Sequence, residues 1–285
     1  MQKIWVCGAR GQIGQAINDV VDKLEFEMLD TDVDDLDVTD TDEVLRFGEM
    51  NRPDIIINCS GMTDINACEE NPSQAFKVNA LGARNLAIVA AKMQAKMVQL
   101  STDDVFDGKS TEPYTEFDVT NPGTVYGKSK LAGENYVKEF TTKHFIVRST
   151  WVYGKGQNFI NDFLNKVDAG EQLSIASDQF GSPTSANELA RFLLHLVHTS
   201  EYGTYHATNK GVCSRYAFAE EILKLTGKTA SMQPVPTVMS DFSKVRPAYA
   251  VLDNFIMSMV PIYDFPDWQD SLKEYLTERG LHHAE

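Results

Sequence analysis

The chain has 285 residues, 42% hydrophobic and 24% charged, with a formal net charge of −15. That length is ample for one large α/β core or a domain with a smaller lobe, and the composition is that of an ordinary globular enzyme. So acidic a surface argues against nucleic acid and anionic membranes as partners, but not against a local positive site for a small anion.

Four cysteines (Cys7, Cys59, Cys68, Cys213) show no CxxC spacing. They are expected to be reduced thiols in a cytoplasmic protein. Lys3 already opens the first apolar run, so no signal peptide is expected. No apolar run reaches the ~18 residues of a membrane span.

Lys3-Ile4-Trp5-Val6-Cys7 predicts the first strand. Gly8-Ala9-Arg10-Gly11-Gln12-Ile13-Gly14 follows as G-x-x-G-x-x-G, ahead of apolar positions Ile13, Ala16, Ile17, Val20, Val21 and Leu24. Strand, glycine turn and helix in that order suit a dinucleotide: the glycines allow close backbone approach, and the helix N-terminus offers N–H groups to a pyrophosphate. Phe26 to Asp30 reads as the second strand. Asp30 is placed to accept from the adenosine ribose hydroxyls, whereas Arg10 suits a 2′-phosphate. NAD and NADP thus each have one supporting residue. Asp37-Val38-Thr39-Asp40 closes an acidic stretch, with Asp40 or Thr41 able to cap the next helix.

Ile55 to Cys59, apolar but for Asn58, is the third strand, and Ser60-Gly61-Met62-Thr63 stands at its C-terminal end, where parallel sheets bind ligands. Pro72 opens a long helix through Asn79 to Met93. Lys96 to Ser101, the fourth strand, delivers Thr102-Asp103-Asp104 to the same edge. Asn121-Pro122 is expected to start the helix that carries Tyr126 and Lys130. Four residues apart, these two share a helix face. An ammonium beside a phenol lowers its pKa from about 10 and makes it a usable proton donor near neutrality. His144 to Arg148 is the fifth strand, followed by Trp151.

This alternation predicts a doubly wound parallel sheet, Rossmann-like, over residues 1–154. Residues 155–285 are expected to form mainly a smaller substrate-binding lobe, with segments returning to the main sheet. Helices are predicted near 158–169, 186–199, 214–226 and 267–279.

Gly8/Gly11/Gly14, Ser101-Thr102-Asp103 and Tyr126-x-x-x-Lys130 together resemble the extended short-chain dehydrogenase/reductases. Within them the chain is most similar to the dTDP-4-dehydrorhamnose reductases. That similarity rests on Val105-Phe106-Asp107-Gly108, Tyr126-Gly127-Lys128-Ser129-Lys130-Leu131-Ala132-Gly133-Glu134, Trp151-Val152-Tyr153-Gly154, Asp178-Gln179-Phe180-Gly181-Ser182-Pro183-Thr184, Arg246-Pro247 and Pro266-Asp267-Trp268-Gln269.

The resemblance implies NADPH-dependent reduction, with NADH as the alternative cofactor, of the C4 ketone of a 6-deoxy-4-keto sugar on a nucleoside diphosphate. It implies catalysis by Thr102, Tyr126 and Lys130. Cofactor contacts would come from Gly8, Arg10, Gly11, Gln12, Ile13 and Gly14 in the first loop, and from Asp30, Asp37 and Val38 beside it. Ser60, Gly61, Asn79, Tyr126 and Lys130 complete the cofactor set. Thr102, Asp104, Tyr126, Trp151 and Arg246 would meet the substrate, Trp151 with a flat apolar face and an N–H donor.

Three stretches depart from the reductases: Asp104 replaces a tyrosine, Ser60-Gly61-Met62-Thr63 replaces Ala-Ala-Tyr-Thr, and Ile65-Asn66-Ala67-Cys68-Glu69 replaces Val-Asp-x-Ala-Glu. Asp103-Asp104 also mimics the carboxylate pair of nucleotide-sugar 4,6-dehydratases. A non-catalytic role like that of the related regulatory subunit of methionine adenosyltransferase is the other alternative. Some reductases of this family bridge protomers through a glutamate-held metal. Ala16 stands where one such glutamate would be, and Glu188 matches another, so no metal is expected. A homodimer stays open.

Overall fold

Apolar runs bounded by glycine, proline and acidic turns become the strands of the computed structural model, which describes residues 1–239 and 247–283. The first half runs β1 (Gln2–Cys7), α1 (Gln12–Val20), β2 (Phe26–Thr31), α2 (Thr41–Asn51), β3 (Ile55–Asn58), α3 (Ile65–Glu70) and α4 (Pro72–Phe76). A π-helical turn (Lys77–Gly82), α5 (Ala83–Met93), β4 (Lys96–Thr102), a 3-10 turn (Asp103–Val105), α6 (Val125–Phe140) and β5 (His144–Ser149) follow. Then come β6 (Val152–Tyr153), α7 (Phe159–Asp168), β7 (Leu173–Ala176), β8 (Phe180–Gly181), β9 (Thr184–Ser185), α8 (Ala186–Val197) and β10 (Gly203–His206). β11 (Cys213–Ser214), α9 (Arg215–Thr226), β12 (Met232–Val235), a 3-10 turn (Thr237–Met239), α10 (Phe255–Met259) and α11 (Trp268–Glu278) end the chain.

The main sheet is parallel, in the order β10-β5-β4-β3-β1-β2. Its first half alone supplies five strands, and β10 comes back from the second half to pair with β5. Successive side chains of β1 alternate between two layers: Ile4 and Val6 pack with Ile17 of α1 and Leu189 and Leu193 of α8, while Trp5 and Cys7 pack with Val44, Leu86 and Val89 under α2 and α5. Burial on both faces is why these strands read as unbroken apolar runs. A separate cluster around Tyr153, Phe163, Phe218, Trp268 and Leu272 packs the second half of the chain. The chain order reverses between β2 and β3 on either side of β1, so the crevice opens at the C-terminal ends of β1 and β3.

Three local expectations change. α1 ends at Val20 and leaves Leu24 exposed, although Leu24 continues the apolar period. The helix from Pro72 to Met93 is interrupted by the π turn around Asn79. α6 starts at Val125 rather than at Asn121-Pro122, because Asn121 N–H is taken by the Val105 carbonyl and Thr124 supplies the cap, accepting from Gly127 N–H at 2.9 Å.

α6 is fixed to the sheet by a buried ion pair. Arg148 on β5 donates to both carboxylate oxygens of Glu134 at 2.9 and 2.7 Å, and Ser101 on β4 adds a third bond at 2.6 Å. Burial pushes the Glu134 carboxyl up, but the bonds and charge of Arg148, with Ser101 and Lys138, outweigh it and hold the group below its ordinary value.

Candidate active site

The glycine loop leaves β1 with Gly8 at φ 77°, a left-handed conformation that glycine adopts without strain. A Cβ there would stand 2.7 Å from Ser60 N, so the loop can lie directly on the backbone after β3 only because Gly8 has none. Gly14 makes the parallel approach of α1, since its Cβ would fall 2.6 Å from Ala9 Cα.

Beneath this loop lies a cavity of about 400 Å³ lined by Gly8, Gly11, Asp32, Asp37, Val38, Ser60 and Gly61 among others. It is the adenosine-sized half of the crevice. A second cavity, of about 420 Å³, shares Gly11, Cys59, Ser60 and Gly61 with it and continues toward Gln12, Ile13, Thr102, Tyr126, Lys130 and Trp151. The loop, its sheet edge and this cradle fit a dinucleotide laid across the C-terminal ends of β1 and β3.

Some sequence-chosen residues stand elsewhere. Asp30 lies within β2, paired in register with Val6, and does not line the crevice. The strand runs one residue further to Thr31, which accepts from Gly8 and Ala9 N–H, so the acid delivered to the crevice is Asp32. Asp32 accepts from Arg10 N–H at 2.8 Å. The Arg10 side chain points to the surface, where it pairs with Asp34 and Asp35 at 2.8 and 2.7 Å. Asn79 sits behind the wall. Its Oδ1 accepts from Met62 N–H at 2.8 Å, and its Nδ2 donates to Met62 O at 3.0 Å and to Ser129 Oγ at 2.9 Å. It therefore ties the loop after β3 to α6, one residue from Lys130, from inside the π turn. Asp104 is buried in the 3-10 turn beneath the start of α6, and Asp103 is the carboxylate that lines the cavity. The carboxylate pair expected of a dehydratase is thus not presented as a pair. Arg246 lies outside the described residues.

Thr102, Tyr126 and Lys130 are all nearly buried and line one cavity. Thr102 Oγ donates to Asp103 Oδ1 at 2.9 Å, and Thr150 Oγ donates to the other Asp103 oxygen at 3.0 Å, which fixes the Thr102 side chain at the end of β4. Lys130 is 5% exposed. Burial draws its ammonium down to about 8, against the opposing pull of Glu134 and Cys59. Cys59 is itself pushed up to about 12 by burial, so at neutral pH it is a thiol and no nucleophile.

Trp151 has φ 47°, a left-handed conformation that costs a bulky residue on the order of 1–3 kcal/mol. It is a wall residue of the cavity and packs on Gly181 and Arg215. Asn158, Phe159, Arg215 and Phe218 complete that wall from the second half of the chain. Glu188, the residue matched to a metal-holding glutamate, is paired with Arg191 and accepts from Tyr263 OH at 3.0 Å. Among the described residues no His, Cys, Asp and Glu group could hold a metal, and no helix is long and apolar enough to cross a membrane.

The model of the RmlD substrate binding domain matches residues 1–280. The chain belongs to this family. It is 34% identical to the spore coat polysaccharide biosynthesis protein SpsK of Bacillus subtilis, over 98% of this chain and 99% of the relative. A dTDP-4-dehydrorhamnose reductase of Clostridium acetobutylicum superposes with a TM-score of 0.95 at 41% identity, covering 98% of this chain and all of that one. A dTDP-4-dehydrorhamnose reductase of Bacillus anthracis, solved in complex with NADP, gives 0.93 at 35% identity, covering 98% and 100%.

Proposed function

We propose that the protein reduces the C4 ketone of dTDP-4-dehydrorhamnose to give dTDP-L-rhamnose, with NADPH as the hydride source and NADH as an alternative. The observation that carries this is the meeting of Thr102, Tyr126 and Lys130 in one cavity continuous with the glycine-loop crevice. The solved relative that binds NADP supports the choice of cofactor. The Arg10 pairs with Asp34 and Asp35 are exposed and worth little, so Arg10 can turn to a 2′-phosphate at small cost.

When bound, the nicotinamide supplies the hydride. The residues of the chain do the rest. As C4 is reduced, negative charge builds on its oxygen; Thr102 turns its single O–H from Asp103 to donate there, and Tyr126 hands over its proton. The Lys130 ammonium, one turn along α6, stabilises the charge left on the phenolic oxygen. A proton from solvent restores the phenol. The four free thiols fit a reducing, cytoplasmic setting.

The test is loss of nicotinamide absorbance with dTDP-4-dehydrorhamnose and NADPH, beside Tyr126→Phe. Turnover by the wild type and a fall of about 10²–10⁴-fold in the variant are expected. Wild-type protein that binds NADPH yet oxidises none of it overturns the reading.

A further inference from the structure

Arg215 is the first residue of α9, and its side chain lines the catalytic cavity beside Trp151, Phe159 and Phe218. Its guanidinium carbon lies 3.4 Å from the Trp151 ring centroid and 4.7 Å from that of Phe159. That is a stacked cation–π contact. Gly181 packs on the same indole: a Cβ built there would fall 2.6 Å from Cε2 and 2.9 Å from Cδ2 and Nε1. Cε2 is a fusion carbon with ring atoms or bonds on all in-plane sides, so an atom that near to it stands over a face. Were the guanidinium on that face too, its carbon would be the nearer neighbour, and the three nearest atoms are all indole. Gly181 and Arg215 therefore cover opposite faces. The indole is backed by the wall, and its other face carries a guanidinium rather than lying bare.

Charge gives this placement a purpose. Among the described residues, Lys130 and Arg215 are the basic side chains that line the cavity, in a chain of net charge −15. The reading above assigns Lys130 to the Tyr126 phenol. The nucleotide-sugar substrate brings a diphosphate that needs a cation elsewhere. A guanidinium that stacks through its face carries a planar fork of N–H groups that matches two phosphate oxygens. The N-terminus of the 12-residue helix α9 adds positive potential at the same point.

We propose that Arg215, held flat against Trp151, anchors the diphosphate of the substrate and so sets the sugar against Tyr126. This rests on the nucleotide-sugar reading above. The test measures dTDP and thymidine binding by calorimetry on NADP-loaded protein, for the wild type, Arg215→Met and Arg215→Lys. Arg215→Met should weaken dTDP by about 10- to 100-fold while leaving thymidine and NADPH affinities as they were. Arg215→Lys, which keeps the charge but not the fork, should fall between, and it serves if the methionine variant does not fold. In turnover the loss should appear in KM for the nucleotide sugar more than in kcat. Unchanged dTDP affinity in the variants, or equal losses for dTDP and thymidine, overturns the anchor and leaves the reductase reading standing. A wild type that binds no dTDP removes both.

Discussion

Replacing Lys130 by methionine separates what this lysine costs the fold from what it gives the reaction. The side chain is 5% exposed, and burial draws its ammonium from 10.5 to about 8. The unfolded chain therefore binds the proton more tightly than the native one. A shift of that size makes the charged form a burden of about 3 kcal/mol, at ~1.4 kcal/mol per pH unit. Because the native value is the lower one, the penalty is fully present below pH 8 and is relieved as pH rises from 8 towards 10.5, where the native lysine is neutral but the unfolded one is still charged. Methionine fills similar space with no charge. Lys130→Met is thus expected to be inactive but more stable at about pH 7, by up to ~3 kcal/mol, or roughly 5 °C in Tm for a chain of this size. At about pH 9.5 the advantage should shrink to roughly half. Urea denaturation of both proteins at the two pH values reads it directly. A variant no more stable than the wild type near neutrality, or an advantage that does not narrow with pH, refutes burial as the cause of the shift.

Arg148→Met should be strongly destabilising, because it leaves the Glu134 carboxylate buried without its bidentate partner; a loss of about 3–5 kcal/mol is expected in chemical denaturation. Gly127→Ala would drive a Cβ into the Asp104 carbonyl, backbone against backbone. It should lower Tm and cut kcat, while thermal shift by NADPH persists if the crevice still forms. Arg10→Ala should raise KM for NADPH about 3- to 10-fold with little change for NADH, since only the former carries a 2′-phosphate. Steady-state kinetics with each cofactor distinguishes the two.

The sheet was legible because its strands are buried on both faces, so Ile4 to Cys7 and Ile55 to Ile57 carry no polar interruption. The glycine loop and the Tyr126/Lys130 pair were legible because their chemistry is local: one turn of chain, one turn of helix. What was not legible depends on register and on distance. Asp30 and Asp32 differ only in where β2 stops, and that is set by the pairing of Cys7 with Thr31, not by β2 itself. Asn79 reads as a helix residue near the cofactor, whereas the π turn turns it onto Met62 and Ser129. Arg215 carries no local signal, being 64 positions beyond Trp151 and brought to it by the packing of α9 against the cluster around Tyr153 and Phe163.

The placement of Tyr126 shows why the reacting residues and the supporting ones lie on the same helix. α6 meets the 3-10 turn after β4 through Gly127, and it meets the π turn through Gly133, whose Cβ would strike the Asn79 carbonyl. Between these contacts Ser129 accepts from Asn79, and beyond them Glu134 locks to Arg148 and Ser101. These contacts join α6 to the turn after β4, the π turn, the loop after β3 through Met62, and β4 and β5 themselves. Rotation of α6 about its axis would break all of them together, so the face bearing Tyr126 and Lys130 is held toward the cavity from several directions. That rigidity lets a buried ammonium persist on the helix that carries Tyr126. A helix free to turn would bring Lys130 out to water and recover the ~3 kcal/mol of its desolvation. The buried ion pair and the two close glycine contacts are therefore the structural counterpart of the strained lysine, and weakening any one of them should loosen the site before it unfolds the sheet.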